Sequence, residues 1–240
     1  MCRILSFMLT VSRTDRVFIL AGAGVSADSG IPTFRGVGGL WRNYRIEEVA
    51  SPEAWHRDTR LVWEFYSMRR RVAAAAKPNP AHFALAKLEQ KLEDRLFLCT
   101  QNVDDLHEQA GSMRVVHMHG ELFRSRCDRC SRPPFRDTNA YDPPTEPPRY
   151  ECGGRIRPHI VWFGEVPFEL DRIFGALNEC TMFMAIGTSG VVEPAASFVA
   201  HVGGGARTIY VGPEEPANLS SFTECHLGKA GEILPHLLDA

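Results

Sequence analysis

The chain has 240 residues, of which 44% are hydrophobic and 23% charged, a composition typical of a globular protein with a buried core. Its formal net charge of -2 offers no basic surface, so we predict no nucleic-acid partner. No run approaches the roughly 18 apolar residues that a membrane span needs, so we predict no membrane partner either.

The first residues of the chain contain a short apolar stretch after Arg3. Where a secretory signal would have a small-residue cleavage site, the charged residues Arg13, Asp15 and Arg16 follow. We therefore expect a helix that packs on the core. Seven cysteines, of which only one pair is closely spaced, are not the framework of a disulfide-rich secreted protein. Both observations predict a cytoplasmic protein.

Five short apolar runs rich in β-branched residues are typical of strands buried on both faces, which occur in parallel sheets covered by helices. These runs are Val17–Leu20, Leu96–Cys99, Val115–Met118, Met182–Ile186 and Thr208–Val211. Stretches with helical spacing lie between them, as at Pro80–Glu93 and Leu170–Asn178. The alternation predicts an α/β fold with a doubly wound parallel sheet.

Two segments interrupt this alternation. Residues 37–80 are rich in Trp, Arg and Glu with helical periodicity, which predicts an inserted helical module. Residues 123–157 are rich in Pro, Arg and Cys with little periodicity, which predicts a small loop-built module. The remaining residues, 12–36, 81–122 and 158–240, are then the large part of one domain that spans 1–240.

A glycine-rich turn follows the first predicted strand directly, with the pattern G-x-G-x-x-A from Gly22 to Ala27. Glycines suit a sharp turn at which the backbone approaches a pyrophosphate, and the helix that follows offers N–H groups to the anion. By itself the pattern fits a simple tight turn equally well. The acidic residue that binds the ribose in dehydrogenases, about 20 residues later, is missing, so we do not predict a plain dehydrogenase.

The turn and the residues after it, GAGVSADSGIPTFRG at 22–36, closely resemble the opening motif of the sirtuin (Sir2) family. Four further motifs of that family follow in order: TQNVDDLH at 100–107, HG at 119–120, VWFGE at 161–165 and GTS at 187–189. The resemblance covers nearly the whole chain. It implies a Rossmann-like doubly wound fold with a helical insert and a small cysteine-containing module. It also implies the activity of an NAD-dependent protein deacylase.

Sirtuins cleave the nicotinamide–ribose bond of NAD and pass the acyl group of an acyl-lysine to the ribose. The resemblance therefore implies NAD as cosubstrate, acylated-lysine proteins as substrates, and nicotinamide and O-acyl-ADP-ribose as products. It also implies that His119 is the general base, a role that suits an imidazole because it titrates near neutral pH. The alternative for a single histidine is a structural role, and His117 is close enough in sequence to face the same side.

Asn102 and Asp104 are implied to hold the nicotinamide ribose and to orient the carboxamide, and their i, i+2 spacing places both on one face of an extended segment. Helix capping by Asp104 or Asp105 is the alternative, and both roles can hold together. Sirtuins often have an asparagine near the adenine ribose. In this chain the corresponding strand ends in Val211-Gly212-Pro213, without an asparagine. The resemblance implies a larger set of cofactor-binding residues, namely Gly22, Ala23, Gly24, Ser26, Thr33, Phe34, Arg35, Gln101, Asn102, Val103, Asp104, Gly187, Thr188, Ser189, Gly212 and Ala230.

Tyr66 and Arg69 are i and i+3 in a predicted helix, so both side chains point to one face. A tyrosine hydroxyl and an arginine fork converging on an apolar tunnel would bind a carboxylate, which acetyl lacks. This Y-x-x-R pattern resembles that of class III sirtuins, which implies removal of succinyl or malonyl groups and weaker removal of acetyl. The alternative is a solvated basic face, because Arg69, Arg70 and Arg71 are consecutive. The other implied substrate-binding residues are Val161, Phe163, Gly164 and Val191.

Sirtuins commonly hold a structural zinc ion with two cysteine pairs, because tetrahedral Zn²⁺ takes four soft ligands. Cys127 and Cys130 form one pair, but only Cys152 stands where the second pair is expected. Glu151 or Asp142 would then be the fourth ligand of a weak site. A metal-free module held by packing is the alternative.

Two other enzymes would use the same cofactor site, an NAD-dependent mono-ADP-ribosyltransferase and a plain deacetylase. A third alternative is a non-catalytic module that binds NAD or acyl-lysine, although His119 is present. Tyr66 and Arg69 favour the acyl route, since that pair has no part in ADP-ribosyl transfer. By analogy with most sirtuins we predict a monomer.

Overall fold

The main element of the fold is a seven-stranded parallel sheet. The computed structural model describes residues 3–4, 9–33, 40–41, 44–141 and 148–238. The strands are β1 (Arg3–Ile4), β2 (Val17–Ala21), β3 (Leu40–Trp41), β4 (Tyr44–Arg45), β5 (Leu96–Thr100), β6 (Val115–His117), β7 (Gly120–Cys127), β8 (Phe135–Arg136), β9 (Ile156–Ile160), β10 (Met182–Ile186), β11 (Arg207–Gly212) and β12 (Glu224–Leu227). The large sheet has the order β1-β12-β11-β10-β2-β5-β6, and every neighbouring pair in it is parallel.

The strands of this sheet are buried on both faces, as the continuous apolar runs predict. In β2, Val17 and Ile19 belong to one hydrophobic cluster, whereas Phe18 and Leu20 belong to a second cluster on the opposite face. None of these four side chains is more than 2% exposed. The five predicted strands and the doubly wound α/β architecture are confirmed.

Helices cover both faces of the large sheet. The α-helices of the described residues are α1 (Ala23–Ala27), α2 (Ile46–Val49), α3 (Pro52–Arg57), α4 (Thr59–Ala75), α5 (Pro80–Leu92), α6 (Leu106–Gln109), α7 (Leu170–Glu179) and α8 (Ala230–Leu237), with 3-10 turns at Glu93–Arg95, Ala195–His201 and Leu219–Ser221. Residues of α5 and α8 pack into the first cluster, and residues of α7 and of the turn Ala195–His201 pack into the second. The predicted helices Pro80–Glu93 and Leu170–Asn178 correspond to α5 and α7, each within one residue at its end.

The expectation of an N-terminal helix is wrong for the described part of that segment. Arg3 and Ile4 form an edge strand that pairs with Glu224 and Cys225 of β12. Ile4 is β-branched, which favours a strand, and pairing with an existing sheet edge gives the two residues backbone hydrogen bonds. Cys225 is disulfide-bonded, whereas the other five cysteines of the described residues are free.

The segment between β2 and β5 carries the hairpin β3–β4 and the helices α2, α3 and α4. Asp58 begins α4, because its side chain accepts hydrogen bonds from the N–H groups of Arg60 and Leu61. The apolar face of α4 packs in a third hydrophobic cluster with Leu122 and Trp162. This packing joins α4 to β7 and to the turn that follows β9.

A second, antiparallel sheet has the order β8-β7-β9 and lies outside the large sheet. It contains the cysteine-rich part of the chain, with Cys127 at the end of β7. Within the described ranges, no helix is both long enough and apolar enough to cross a bilayer.

The order of the large sheet defines where a ligand binds. From β2 the chain adds β5 and β6 on one side, and it later returns to add β10, β11 and β12 on the other. In open α/β sheets, ligands bind at the carboxyl ends of the strands where this direction reverses, which here is the crevice between β2 and β10.

Candidate active site

The glycine-rich turn lies at this crevice and packs against the turn after β10. The Gly22 N–H donates to the carbonyl of Ile186, and the Gly24 N–H donates to the carbonyl of Gly187, both at 2.9 Å. A Cβ on Gly22 or Gly24 would stand 2.7 Å from the Gly187 backbone. No side chain fits between the two turns, so the backbone itself forms the floor of the crevice. This close approach fits a pyrophosphate-binding turn.

Asn102 follows β5 and connects that strand to the glycine-rich turn. Its side-chain amide donates to the carbonyl of Gly22 and to the hydroxyl of Ser26, each at 3.1 Å. Ser26 is fully buried and also lies 3.4 Å from Nε2 of His82. The Asn79 N–H donates to Nδ1 of His82, so the neutral ring carries its proton on Nε2 and donates it to Ser26.

Asp104 joins the same network from the next turn of chain. One of its carboxylate oxygens accepts from the Leu106 N–H at 3.2 Å, so Asp104 caps α6. Asp105 makes no side-chain cap hydrogen bond. Burial raises the pKa of the Asp104 carboxyl, and hydrogen bonds from the Leu106 N–H and the Ser26 hydroxyl oppose that shift. A buried acid with fixed partners can orient a polar ligand without moving.

His117 ends β6 and His119 follows two residues later, but the two histidines have different surroundings. Nδ1 of His119 is 3.2 Å from the carbonyl of Gln101, so it must carry the proton, and Nε2 is the basic nitrogen of the neutral ring. Burial lowers the pKa of His119, which keeps this form at neutral pH. His119 therefore has the protonation state and tautomer of a general base.

His117 is held at both nitrogens. Its Nε2 is 2.7 Å from the Glu108 carboxylate, and its Nδ1 is 3.2 Å from the carbonyl of Asn102. Burial acts to lower the pKa of His117, but the Glu108 carboxylate outweighs it and the pKa is raised. An imidazole that donates from both nitrogens has no lone pair for catalysis. The two histidines therefore differ in their partners: His117 binds a carboxylate and a carbonyl, whereas His119 contacts one carbonyl through Nδ1.

The remaining cofactor-binding predictions fall in three places. Gln101, Val103, Thr188 and Ser189 lie on the turns that follow β5 and β10, beside the glycine-rich turn. Gly212 ends β11, and its carbonyl accepts from the Gly228 N–H, two residues before Ala230 begins α8. Thr33 is exposed, and no described contact brings it to the crevice. Phe34 and Arg35 lie outside the described residues.

Tyr66 and Arg69 share one face of α4 and are both buried, at 1% and 7% exposure. The Arg69 guanidinium carbon lies 5.6 Å from the centre of the Tyr66 ring. Burial lowers the pKa of Arg69, and the Tyr66 hydroxyl and the Asp104 carboxylate oppose that shift. The alternative of a solvated basic face holds only for Arg71, which is exposed.

The predicted substrate residues after β9 form an edge next to this pair. The Val161 N–H donates to the carbonyl of His119, and the Phe163 N–H donates to the carbonyl of Ala50. Phe163 and Val191 are about half exposed, at 53% and 50%, and Gly164 has a positive φ of 89°. Two exposed apolar side chains on separate loops are suited to contact an extended peptide.

Three side chains of this region are absent from the predicted set. His82 supports Ser26, the indole of Trp162 contacts the Tyr66 hydroxyl, and Arg70 binds Asp137 and several carbonyls inside the small sheet. From the sequence alone, His82 has the pattern of an ordinary helix start. Arg70 is one of three consecutive arginines, a pattern that predicts a surface position. A signal was available only for Trp162, which lies within the VWFGE motif.

The thiols of Cys127, Cys130 and Cys152 form a cluster in which all ligand atoms lie within 4.8 Å of one another. Burial acts to raise the pKa of the Cys127 thiol, but the backbone N–H groups of Cys130 and Arg129 lower it. A Cβ on Gly154 would stand 2.4 Å from Sγ of Cys127, so only glycine fits beside that thiol. Three clustered thiols are a donor set that suits zinc.

No fourth ligand joins these thiols within the part of the chain that the structure describes. The Glu151 carboxylate accepts a hydrogen bond from the Arg132 guanidinium at 2.6 Å and forms a salt bridge with it. Asp142, the other predicted ligand, lies outside the described residues. The described residues therefore do not supply the four ligands of a closed structural zinc site, although weak binding of zinc is compatible with them.

Comparison with known proteins agrees with this geometry. The Sir2 family model matches residues 22–194. A protein from Pasteurella multocida (strain Pm70) named NAD-dependent protein deacylase is 48% identical in an alignment 237 residues long, which covers 95% of this chain and 98% of the relative. The crystal structure of a Sir2 homologue in complex with NAD is 39% identical with a TM-score of 0.86, covering 98% of this chain and 96% of its own. A Sir2 structure with a deacetylated p53 peptide and 3′-O-acetyl-ADP-ribose is 29% identical with a TM-score of 0.80, covering 94% of each chain.

Proposed function

The chain belongs to the Sir2 family and is an NAD-dependent protein deacylase, and we propose that it removes succinyl and malonyl groups from lysine in preference to acetyl. The observation that carries the proposal is the pair Tyr66 and Arg69, buried together on one face of α4. A buried guanidinium and a buried hydroxyl on one face of a helix are two donors that match the two oxygens of a carboxylate.

An acyl carboxylate is that ligand. Succinyl and malonyl end in a carboxylate, which accepts from a guanidinium fork and from a tyrosine hydroxyl in charge-assisted hydrogen bonds. Burial raises the pKa of Tyr66, so its hydroxyl keeps its proton at neutral pH and is a donor. An acetyl group offers a methyl to the same two donors, so it forms neither of these hydrogen bonds.

For the chemical step we assign His119 as the general base and Asn102 and Asp104 as the residues that position the nicotinamide ribose. Bound NAD would supply a sugar carbon that accepts the acyl oxygen as its bond to nicotinamide breaks. Nε2 of His119 takes a proton from a ribose hydroxyl, while the Gln101 carbonyl holds the ring through Nδ1. The backbone of Gly22, Gly24 and Gly187 would lie against the pyrophosphate.

The adenine side and the peptide side complete the proposed site. We assign Gly212 and Ala230 to the adenosine, because both lie where β11 ends and α8 begins. Phe163 and Val191 would contact the substrate peptide on either side of the acyl-lysine. Acylated-lysine proteins are the substrates; a monomeric state, a cytoplasmic location and the division into a large part, a helical insert and a small module remain predictions.

Arg69→Met tests the acyl preference. We expect kcat/KM for a succinyl-lysine peptide to fall by roughly 10²-fold, because the variant loses a charge-assisted hydrogen bond in a buried site, while kcat/KM for the acetyl-lysine peptide stays within a few-fold. Arg71→Met is the matched control, since Arg71 is exposed on the same helix. Equal losses on both peptides for Arg69→Met would rule out the acidic-acyl preference and leave a plain deacetylase.

A mono-ADP-ribosyltransferase would give a different result in the same assay. It would release nicotinamide without consuming the acyl-lysine peptide and would attach ADP-ribose to a protein. We do not favour it, because Tyr66 and Arg69 would then be buried without a role in the reaction.

A further inference from the structure

The structure assigns to Trp162 a positioning role in the acyl preference: its indole N–H donates to the Tyr66 hydroxyl oxygen and so directs the hydroxyl proton toward the substrate's acyl carboxylate. This inference rests on the proposed function, in which that carboxylate is a ligand of Tyr66. Trp162 makes no contact with the substrate in this account and acts through Tyr66.

The geometry of the hydrogen bond defines the direction of the proton. Nε1 of Trp162 lies 3.0 Å from the Tyr66 oxygen, and both residues are buried, at 2% and 1% exposure. Because an indole nitrogen can only donate, the tyrosine oxygen is the acceptor in this contact. The single hydroxyl proton of Tyr66 is then left to be donated to another group.

The indole itself is held in place on several sides. The Arg157 guanidinium carbon lies 3.3 Å from the centre of the Trp162 ring, and the Glu165 carboxylate accepts from the same guanidinium at 2.7 and 2.9 Å. The Trp162 backbone N–H donates to Glu165 at 2.8 Å. The ring of Trp55 packs on the indole with 5.8 Å between centres. A ring so constrained fixes the direction of its N–H as well.

The consequence is a preorganised donor. Without the indole N–H, the Tyr66 hydroxyl can rotate its proton away and use its oxygen as an acceptor for the Arg69 guanidinium alone. The acyl carboxylate would then lose part of its binding before the chemical step begins. Because this loss falls on ground-state binding, it raises KM for acidic acyl substrates and leaves kcat nearly unchanged.

Trp162→Phe tests this role, because phenylalanine keeps the aromatic ring and removes the N–H. We expect the ratio of kcat/KM for succinyl-lysine to kcat/KM for acetyl-lysine to fall about tenfold, through KM of the succinyl peptide. Trp63→Phe is the matched control. Trp63 is also 2% exposed, and its indole N–H donates to the Ile156 carbonyl at 2.9 Å, away from Tyr66. This variant is expected to lower the melting temperature and to leave the ratio unchanged.

The double variant Tyr66→Phe/Trp162→Phe separates positioning from a general loss of packing. In the Tyr66→Phe background the indole has no hydroxyl to direct, so adding Trp162→Phe should leave the substrate ratio where Tyr66→Phe alone puts it. A further tenfold fall in the double variant, or an unchanged ratio in Trp162→Phe alone, overturns the inference.

The same variants test the proposed function separately from the role of Trp162. If Arg69→Met and Tyr66→Phe both lower the ratio but Trp162→Phe does not, only the role of Trp162 is overturned. If Arg69→Met and Tyr66→Phe leave the ratio unchanged, the acidic-acyl preference itself is wrong and the role of Trp162 falls with it.

Discussion

The carboxyl edge of the large sheet and the cysteine cluster of the small sheet differ in how completely they are built. At the sheet edge, Asn102 and Asp104 both bond to the Ser26 hydroxyl, and His119 bonds to the Gln101 carbonyl, so each has a hydrogen-bond partner from a separate segment of the chain. At the cluster, three thiols meet and the described residues provide no fourth ligand.

The two sites differ in how far each depends on a single residue. The floor of the sheet edge is made of backbone at Gly22, Gly24 and Gly187, so its shape follows from the topology of the sheet. A tetrahedral metal site is made only of side chains, and replacing one of four ligands opens it. Arg149 stands three residues before Cys152, the spacing that separates Cys127 from Cys130, and it is the position at which a second pair would be completed.

The largest effect should come from His119→Ala, which removes the assigned base from the well-built edge. We expect kcat to fall by about 10²–10⁴-fold with little change in melting temperature, because the side chain makes one hydrogen bond to a carbonyl. Steady-state kinetics with thermal unfolding measures both quantities.

His117→Ala is the control for that comparison, since His117 is bound to Glu108 and should contribute more to stability than to chemistry. Comparable kcat values for the two variants would contradict the assignment of the base.

Because burial lowers the pKa of His119, the base form should also persist as pH falls through 6.5, so wild-type kcat/KM should decline only at lower pH.

An intermediate effect should appear in stability against pH. Burial lowers the pKa of His82 to about 4, whereas the unfolded chain binds that proton near 6.5. Stability is therefore fully present above pH 6.5 and is lost as pH falls toward 4, by about 3 kcal/mol for this group. His82→Gln should flatten this part of a plot of melting temperature against pH and should also raise KM for NAD, because His82 supports Ser26.

His159 allows the same measurement of stability against pH in the small sheet. Burial lowers the pKa of His159 to about 4, with a contribution from neighbouring arginines, but it lies in β9 of the small sheet. His159→Gln should flatten the pH profile while leaving KM for NAD unchanged. If both variants alter KM for NAD equally, the two regions are not functionally distinct.

The smallest effect should come from completing the cysteine cluster. Arg149→Cys restores the spacing of a second pair, and we expect the affinity for zinc to rise by roughly tenfold or more because the site gains a fourth thiolate. Competition with a chromophoric chelator measures the affinity without reference to activity. Equal affinities in the wild type and in Arg149→Cys would mean that the cluster is already complete.

Much of the fold could be predicted, because a strand that is buried on both faces consists of a continuous run of apolar residues. The five strands beside the core are continuous apolar runs, and they appear where expected. β12 has the sequence Glu-Cys-His-Leu and lies near the sheet edge, so it lacks such a run. β1 is two residues long and is formed by its pairing with β12, which no local pattern reveals.

The site could be predicted only where chemistry is concentrated in short motifs. Asn102, Asp104 and His119 belong to such motifs, and the structure places them at one edge. The contact between Ser26 and His82 joins residues 56 positions apart, and the contact between Tyr66 and Trp162 joins residues 96 apart. Contacts of this kind depend on the packing of whole elements, so a single sequence does not display them.

The most direct test of the account is the product balance of a reaction with NAD and a succinyl-lysine peptide, measured by mass spectrometry. We predict that one nicotinamide, one free lysine peptide and one O-succinyl-ADP-ribose form together, and that His119→Ala slows the formation of all three in parallel. Nicotinamide released without deacylated peptide, or peptide deacylated without O-succinyl-ADP-ribose, would contradict it.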